Sequence, residues 1–114
     1  MSPNLSNFVI WAPDQQDEHA LSRRMAVRTE HLLITKQNSD NGSFVFGGGT
    51  LDGHSVPHSP PFPLNGSMFV LKCESMEQVR KIIESDPYYT GNVWDKERIE
   101  IKPILLFDPP VDKP

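Results

Sequence analysis

Three features predict an antiparallel α+β fold with the element order β-α-β-β-α-β. A short run that is apolar at nearly every position, Asn7 to Ala12 (NFVIWA), reads as a strand covered on both faces. A long segment, Asp17 to Asn38, carries helical periodicity. Toward the other end Ile99 and Ile101 alternate with Arg98, Glu100 and Lys102, the period of a half-exposed strand.

Pro13-Asp14 breaks the first strand. The helix that follows starts with Asp17 and Glu18, where negative charge suits the helix dipole. On it, Arg24, Arg28 and His31 project within an arc of roughly 60° at about 100° per residue. Leu21, Met25 and Leu32 lie on one side of that arc, and Ala20, Val27 and Ile34 on the other. Arg23, Glu30 and Gln37 point away. The polar triad therefore falls on the face expected to be buried. Buried cations are costly unless paired or hydrogen-bonded. The triad asks for a carboxylate elsewhere in the chain, an anionic ligand, or both.

Asn38-Ser39-Asp40-Asn41-Gly42 ends the helix. Ser43 to Gly47 is a second strand that runs into Gly48 and Gly49. The glycine run reads as a strand end where something approaches the backbone closely. Thr50 to Gly66 is a proline-rich loop, with Pro57, Pro60, Pro61 and Pro63. Ser67 to Cys73 is the third strand, with Cys73 on the side of Phe69 and Leu71 and expected in the core. Ser75-Met76-Glu77-Gln78 has the spacing of a capping box. It opens a helix whose Met76, Val79, Ile82 and Ile83 form an apolar stripe. Asp86-Pro87 stops that helix, because a residue before proline avoids helical angles. Glu97 to Leu105 is the last strand, and the tail Asp108 to Pro114 is expected to be flexible or packed on a neighbour.

This order is the ferredoxin-like split unit, in which two helices cover one face of the sheet. The first strand is apolar on both faces, so the other face needs cover as well. A second subunit supplies it most economically, as a homodimer with sheets face to face. The chain, 1–114, is expected to be one domain with a core over about 7–105 and a tail over 106–114.

A chain of 114 residues suffices for one core. Its formal net charge of −4 argues against general nucleic-acid binding, which favours a basic face. One cysteine, Cys73, rules out an internal disulfide and fits a reducing compartment. No apolar run approaches the ~20 residues that span a bilayer. The start, Met1-Ser2-Pro3-Asn4, has no basic or long apolar region of the kind a signal peptide needs. A soluble, cytoplasmic protein without membrane or nucleic-acid partners is expected.

Several short motifs then fall in one order: Arg24, Arg28 and His31 followed by Leu32; Gly47-Gly48-Gly49-Thr50-Leu51-Asp52; Gly66-Ser67; Asp86-Pro87-Tyr88; Gly91 and Trp94; and Lys102-Pro103. Over about Phe8 to Pro103 the chain resembles the YciI-like (YCII-related) proteins of the dimeric α+β barrel superfamily. The resemblance implies a pocket centred on a His–Asp pair, here His31 and Asp86. It also implies that some relatives perform lyase or dehalogenase chemistry on small ring compounds. The loop from Thr50 to Gly66 departs from the family pattern, and ligand choice is assigned to it.

Within that frame His31 and Asp86 are the catalytic candidates. Histidine gives or takes a proton near neutral pH, and a carboxylate on its other ring nitrogen would orient it. The reverse assignment, with Asp86 as base, stays open. So do a turn role for Asp86 and a structural role for His31. Arg24 and Arg28 offer planar forks for an anionic ligand. Alternatively they form ion pairs with Glu30, Asp86 or a carboxylate of a second subunit. Ser67 and Tyr88 could present hydroxyls to the ligand, or serve strand hydrogen bonding and packing. Trp11 and Trp94 could wall the pocket or be core. Asp52, His54 and His58 have poor geometry for a metal, with Gly53 and Pro57 among them. No metal or other cofactor is expected. The expected function is cofactor-independent proton transfer, of lyase or isomerase type, on a small acidic or phenolic compound. The alternative is a non-catalytic small-molecule binder or accessory protein of a biosynthetic pathway.

Overall fold

In the computed structural model, which describes residues 4–107, the apolar run becomes the inner strand β1 (Ser6–Pro13). It lies between β3 (Leu64–Cys73) and β4 (Glu100–Ile104), with Ile10 opposite Phe69 on one side and Ile101 on the other. β2 (Phe44–Leu51) pairs with the far edge of β3, giving an antiparallel sheet of order β2-β3-β1-β4. With its helices this is the ferredoxin-like β-α-β-β-α-β topology.

Cross-strand partners share a face of the sheet. One face therefore carries Phe8, Ile10, Ala12, Phe69 and Leu71, which pack with Val79 and Ile83 of α3 (Met76–Ser85) into the core. The Ser75 half of the capping box forms as its spacing predicts, while the return bond from Gln78 reaches one residue before the N-cap. The Ser75 side chain accepts from the backbone N–H of Gln78, and the Gln78 side chain accepts from the N–H of Glu74. The other face carries Val9, Trp11, Met68, Val70 and Phe46. Central Val70 is buried there, but Trp11 and Phe46 are 49% and 47% exposed.

The long helix is not continuous. It divides at Val27 into α1 (Ala20–Ala26) and α2 (Arg28–Asp40). Val27 has φ −110° and ψ 10°, well off helical values, and its β-branched side chain packs on the core. The expected burial of the whole triad face also fails. Arg24 is buried and His31 half-buried, but Arg28 is exposed, as are Leu21, Met25 and Leu32. For Arg28 and Leu32 the physical reason is a cavity: α2 faces the glycine run of β2, where the glycines bring no side chains to fill the space.

The glycines do not end β2, which continues to Leu51, and β3 begins at Leu64 instead of Ser67. The loop is shorter than expected as a result. A close approach to the glycines is present, since a side chain at Gly47 would collide with Phe69. Two short elements were not foreseen. They are the single-turn helix α4 (Pro87–Thr90) and a 3-10 turn, Lys96–Arg98, that delays β4 to Glu100. The tail expected over 108–114 lies outside the described residues. Among the described residues no helix is long and apolar enough to cross a membrane.

Candidate functional site

The sequence Asp86-Pro87-Tyr88 builds one wall of the site through local rules. Asp86 caps α4: its Oδ1 accepts from the backbone N–H of Tyr88 at 2.8 Å. Pro87 takes the first helical position, where its missing N–H is no loss. This holds the Asp86 carboxylate still and sets Tyr88 beneath the α1–α2 break. The second partner of that carboxylate is His31. Its Nδ1 stands 2.8 Å from Oδ1 and 3.0 Å from Oδ2. The imidazole stacks on the Tyr88 ring, with centroids 3.8 Å apart and planes 10° from parallel. An ionised carboxylate only accepts, so Nδ1 carries the hydrogen, and in the neutral imidazole Nε2 keeps its lone pair. Among the described residues Nε2 has no hydrogen-bond partner, and His31 lines a cavity of about 270 Å³. That volume exceeds the ~150 Å³ known to hold a benzene ring.

A second polar group lies deeper. Arg24 is 4% exposed, and its Nη1 donates to both oxygens of Asp14, at 2.9 and 3.0 Å. Its Nη2 donates to Ser67 Oγ at 3.0 Å. Its Nε has no partner. The guanidinium also stands over the Tyr88 ring, 4.6 Å from the centroid. Trp94, fully buried, donates from Nε1 to the same Ser67 Oγ at 3.2 Å. Gly49 lies opposite Ser67 in the sheet, and a side chain there would collide with Leu64 and reach ordinary contact with the Arg24 guanidinium.

Burial pushes the Asp14 carboxyl above its ordinary value, and the neighbouring Arg24 pulls it back. Burial also pushes the Tyr88 phenol up, against the pull of Arg24 and Arg28, so at neutral pH it keeps its proton and can donate. Arg28 lines the cavity with no ion-pair or hydrogen-bond partner among the described residues.

The structure therefore brings His31, Asp86, Arg24, Arg28, Ser67 and Tyr88 around one cavity. Within the chain the partner of Arg24 is Asp14, not Glu30 or Asp86. Sequence reasoning missed Asp14. Its signal was a carboxylate directly after a fully apolar strand, where the strand's end must meet the first helix. It also gave Trp94 no polar role. Trp11 does not wall this cavity and stands on the opposite sheet face. Among the described residues no group of three His, Cys, Asp or Glu side chains is gathered to hold a metal.

Comparison with known proteins matches the YCII-related domain family over residues 6–104. The xenovulene A biosynthesis cluster protein asL2 of Sarocladium schorii is 28% identical over 107 residues, covering 91% of this chain and 92% of that protein. The fusaric acid biosynthesis protein 2 of Gibberella moniliformis is 29% identical over 90% of this chain and 96% of its own length. An aspartate kinase, FUB3, of Fusarium oxysporum f. sp. lycopersici is 30% identical over 93% of this chain, which spans only 19% of the kinase. Among solved structures, 5-chloro-2-hydroxyhydroquinone dehydrochlorinase from Burkholderia phenoliruptrix AC1100, in complex with 2,5-dihydroxybenzoquinone, superposes with a TM-score of 0.69. The two are 19% identical, over 84% of this chain and 90% of that one, a likeness of fold. With its sheet order, its His–Asp pair and a family match over nearly its whole described length, this chain belongs to the YCII-related domain family.

Proposed function

We propose that the cavity is an active site for cofactor-independent proton transfer on a small acidic or phenolic ring compound. The observation that carries this reading is the His31–Asp86 contact at 2.8 Å beside an open cavity. Asp86 holds the imidazole with Nε2 free to take a proton, the arrangement of a base and its orienting carboxylate. His31 Nε2 takes a proton from the ligand. The electron pair left behind either expels a leaving group, as in a lyase, or is reprotonated elsewhere on the ring, as in an isomerase. Arg28 and the Tyr88 hydroxyl stabilise the negative charge that develops. Arg24, committed to Asp14 and Ser67, positions the inner wall. A dehydrochlorinase with this fold, crystallised with a dihydroxybenzoquinone, supports ring compounds as the class to test.

A second reading, binding without turnover, is favoured by one observation. The similar segment in the Fusarium aspartate kinase makes up only part of a much larger protein, which suits an accessory role.

Hydroxylated and halogenated phenols and quinones, incubated with the protein in deuterated water and followed by mass spectrometry, separate the two. Deuterium incorporation or loss of halide is expected with wild type. It should fall about 10²–10⁴-fold in His31→Ala, the usual worth of a general base. Equal turnover by the variant, at unchanged thermal stability, removes His31 from the chemistry. Saturable binding with unchanged ligand recovered favours the second reading.

We also infer that the chain forms a homodimer through the sheet face opposite the helices. Exposed Trp11 and Phe46 on that face support it.

A further inference from the structure

Ser67 Oγ receives two hydrogen bonds, from Arg24 Nη2 at 3.0 Å and Trp94 Nε1 at 3.2 Å. Guanidinium and indole nitrogens can only donate. A serine hydroxyl has two acceptor positions and one hydrogen. Both acceptor positions are therefore filled by groups that cannot rotate out of the way. Trp94 is fully buried, and Arg24 is pinned by both oxygens of Asp14. The Ser67 hydrogen has no acceptor among the described residues, yet Ser67 is 5% exposed and lines the cavity. A buried donor without an acceptor is costly. The cavity that Ser67 lines is open to a bound molecule that could supply the missing acceptor.

We propose that Ser67 is a specificity-determining residue, its hydroxyl fixed as a donor so that the cavity selects ligands presenting an acceptor oxygen, an ionised phenol or ring carbonyl, over ones presenting N–H there. This rests on the reading of the cavity as a site for small acidic ring compounds and says which face of such a compound enters first. The ligand's acceptor oxygen lies against Ser67, on the inner wall. Arg28 and His31 then address the parts of the ring nearer the opening. Asp14, outside the cavity's lining, acts through Arg24 to hold the Ser67 hydrogen in this sense.

The test compares two probes of equal shape by isothermal titration calorimetry, 4-nitrophenol at a pH where it is ionised and 4-nitroaniline. Wild type should bind the phenolate more tightly. Ser67→Ala should weaken phenolate binding about tenfold to a hundredfold, the range for a hydrogen bond to a charged group, and weaken 4-nitroaniline, whose nitro oxygens are feeble neutral acceptors, much less. Ser67→Thr, which keeps a hydroxyl, should retain the preference. A preference that survives intact in Ser67→Ala comes from Arg28 and overturns the proposal. Equal binding of the two probes by wild type overturns it without any variant, while leaving the cavity as a ligand site. Binding of neither probe overturns the cavity reading itself, and the role of Ser67 with it.

Discussion

Asp14 fixes the inner wall of the site through Arg24. It has no catalytic contact, but it is the counter-charge of a guanidinium that is almost wholly removed from water. The pair itself adds little net stability, since burying two charges costs about what their attraction returns. Breaking it is different, because one charge is then left buried and alone. Asp14→Asn should therefore destabilise the fold by about 3–5 kcal/mol, read as a lower urea midpoint at neutral pH. Replacing both partners, as Asp14→Leu with Arg24→Met, should recover much of that loss. If the single variant unfolds at the wild-type midpoint, Arg24 has found another partner and the account of the inner wall is wrong. The sequence carried Arg24's need for a carboxylate but not its identity. Helical spacing places residues on a face, and Asp14 lies outside the helix. His31 and Asp86 are far apart in sequence, so only the family resemblance paired them.

Between elements, the glycine run decides how β2 meets β3. A side chain at Gly47 would lie 2.5 Å from the Phe69 Cβ and 2.7 Å from the Met68 carbonyl oxygen. Backbone cannot yield as a flexible side chain can. At Gly48 nothing lies within 4 Å. Gly47→Ala should thus cost about 1–3 kcal/mol, the usual toll of overpacking. Gly48→Ala should be neutral or stabilise by about 0.4–1 kcal/mol through the unfolded chain. Thermal melts of the two variants check the contrast, and equal melting temperatures would refute the packing of β2 on β3. At this scale the sequence was legible where a local rule governs. The capping box and the alternation before β4 gave elements near their observed places. The break at Val27 was not legible, because no proline or glycine marks it and the 3.6-residue pattern continues across it. Nor was the extent of β2 and β3. Glycine has low strand propensity, and the pairing of Thr50 with Gly66 and Leu51 with Leu64 draws the loop's ends into the sheet.

For the whole molecule, the sheet divides two tasks. Its helix-covered face holds the core and the cavity, and its bare face is the one proposed for association. On that bare face the inner strands carry Val9, Trp11, Met68 and Val70, and β2 adds Phe46. β4 contributes Glu100 and Lys102 beside them. An apolar centre with a charged margin is the anatomy of a protein interface. In the proposed dimer two such faces meet about a two-fold axis, so each contact occurs twice and one substitution acts twice. Phe46 is half exposed in the single chain, so placing a charge there costs the monomer little. In the dimer the same charge would be trapped against Trp11 or its copy without a partner. Phe46→Glu is therefore expected to separate association from folding. Wild type should sediment at twice the 12.9 kDa of the chain and the variant at the single mass, with matching circular dichroism. The cavity lies across the sheet, so the monomeric variant should still bind 4-nitrophenolate. A variant that stays dimeric would move the interface to another surface. One that turns monomeric and loses the ligand would make the second subunit part of the site.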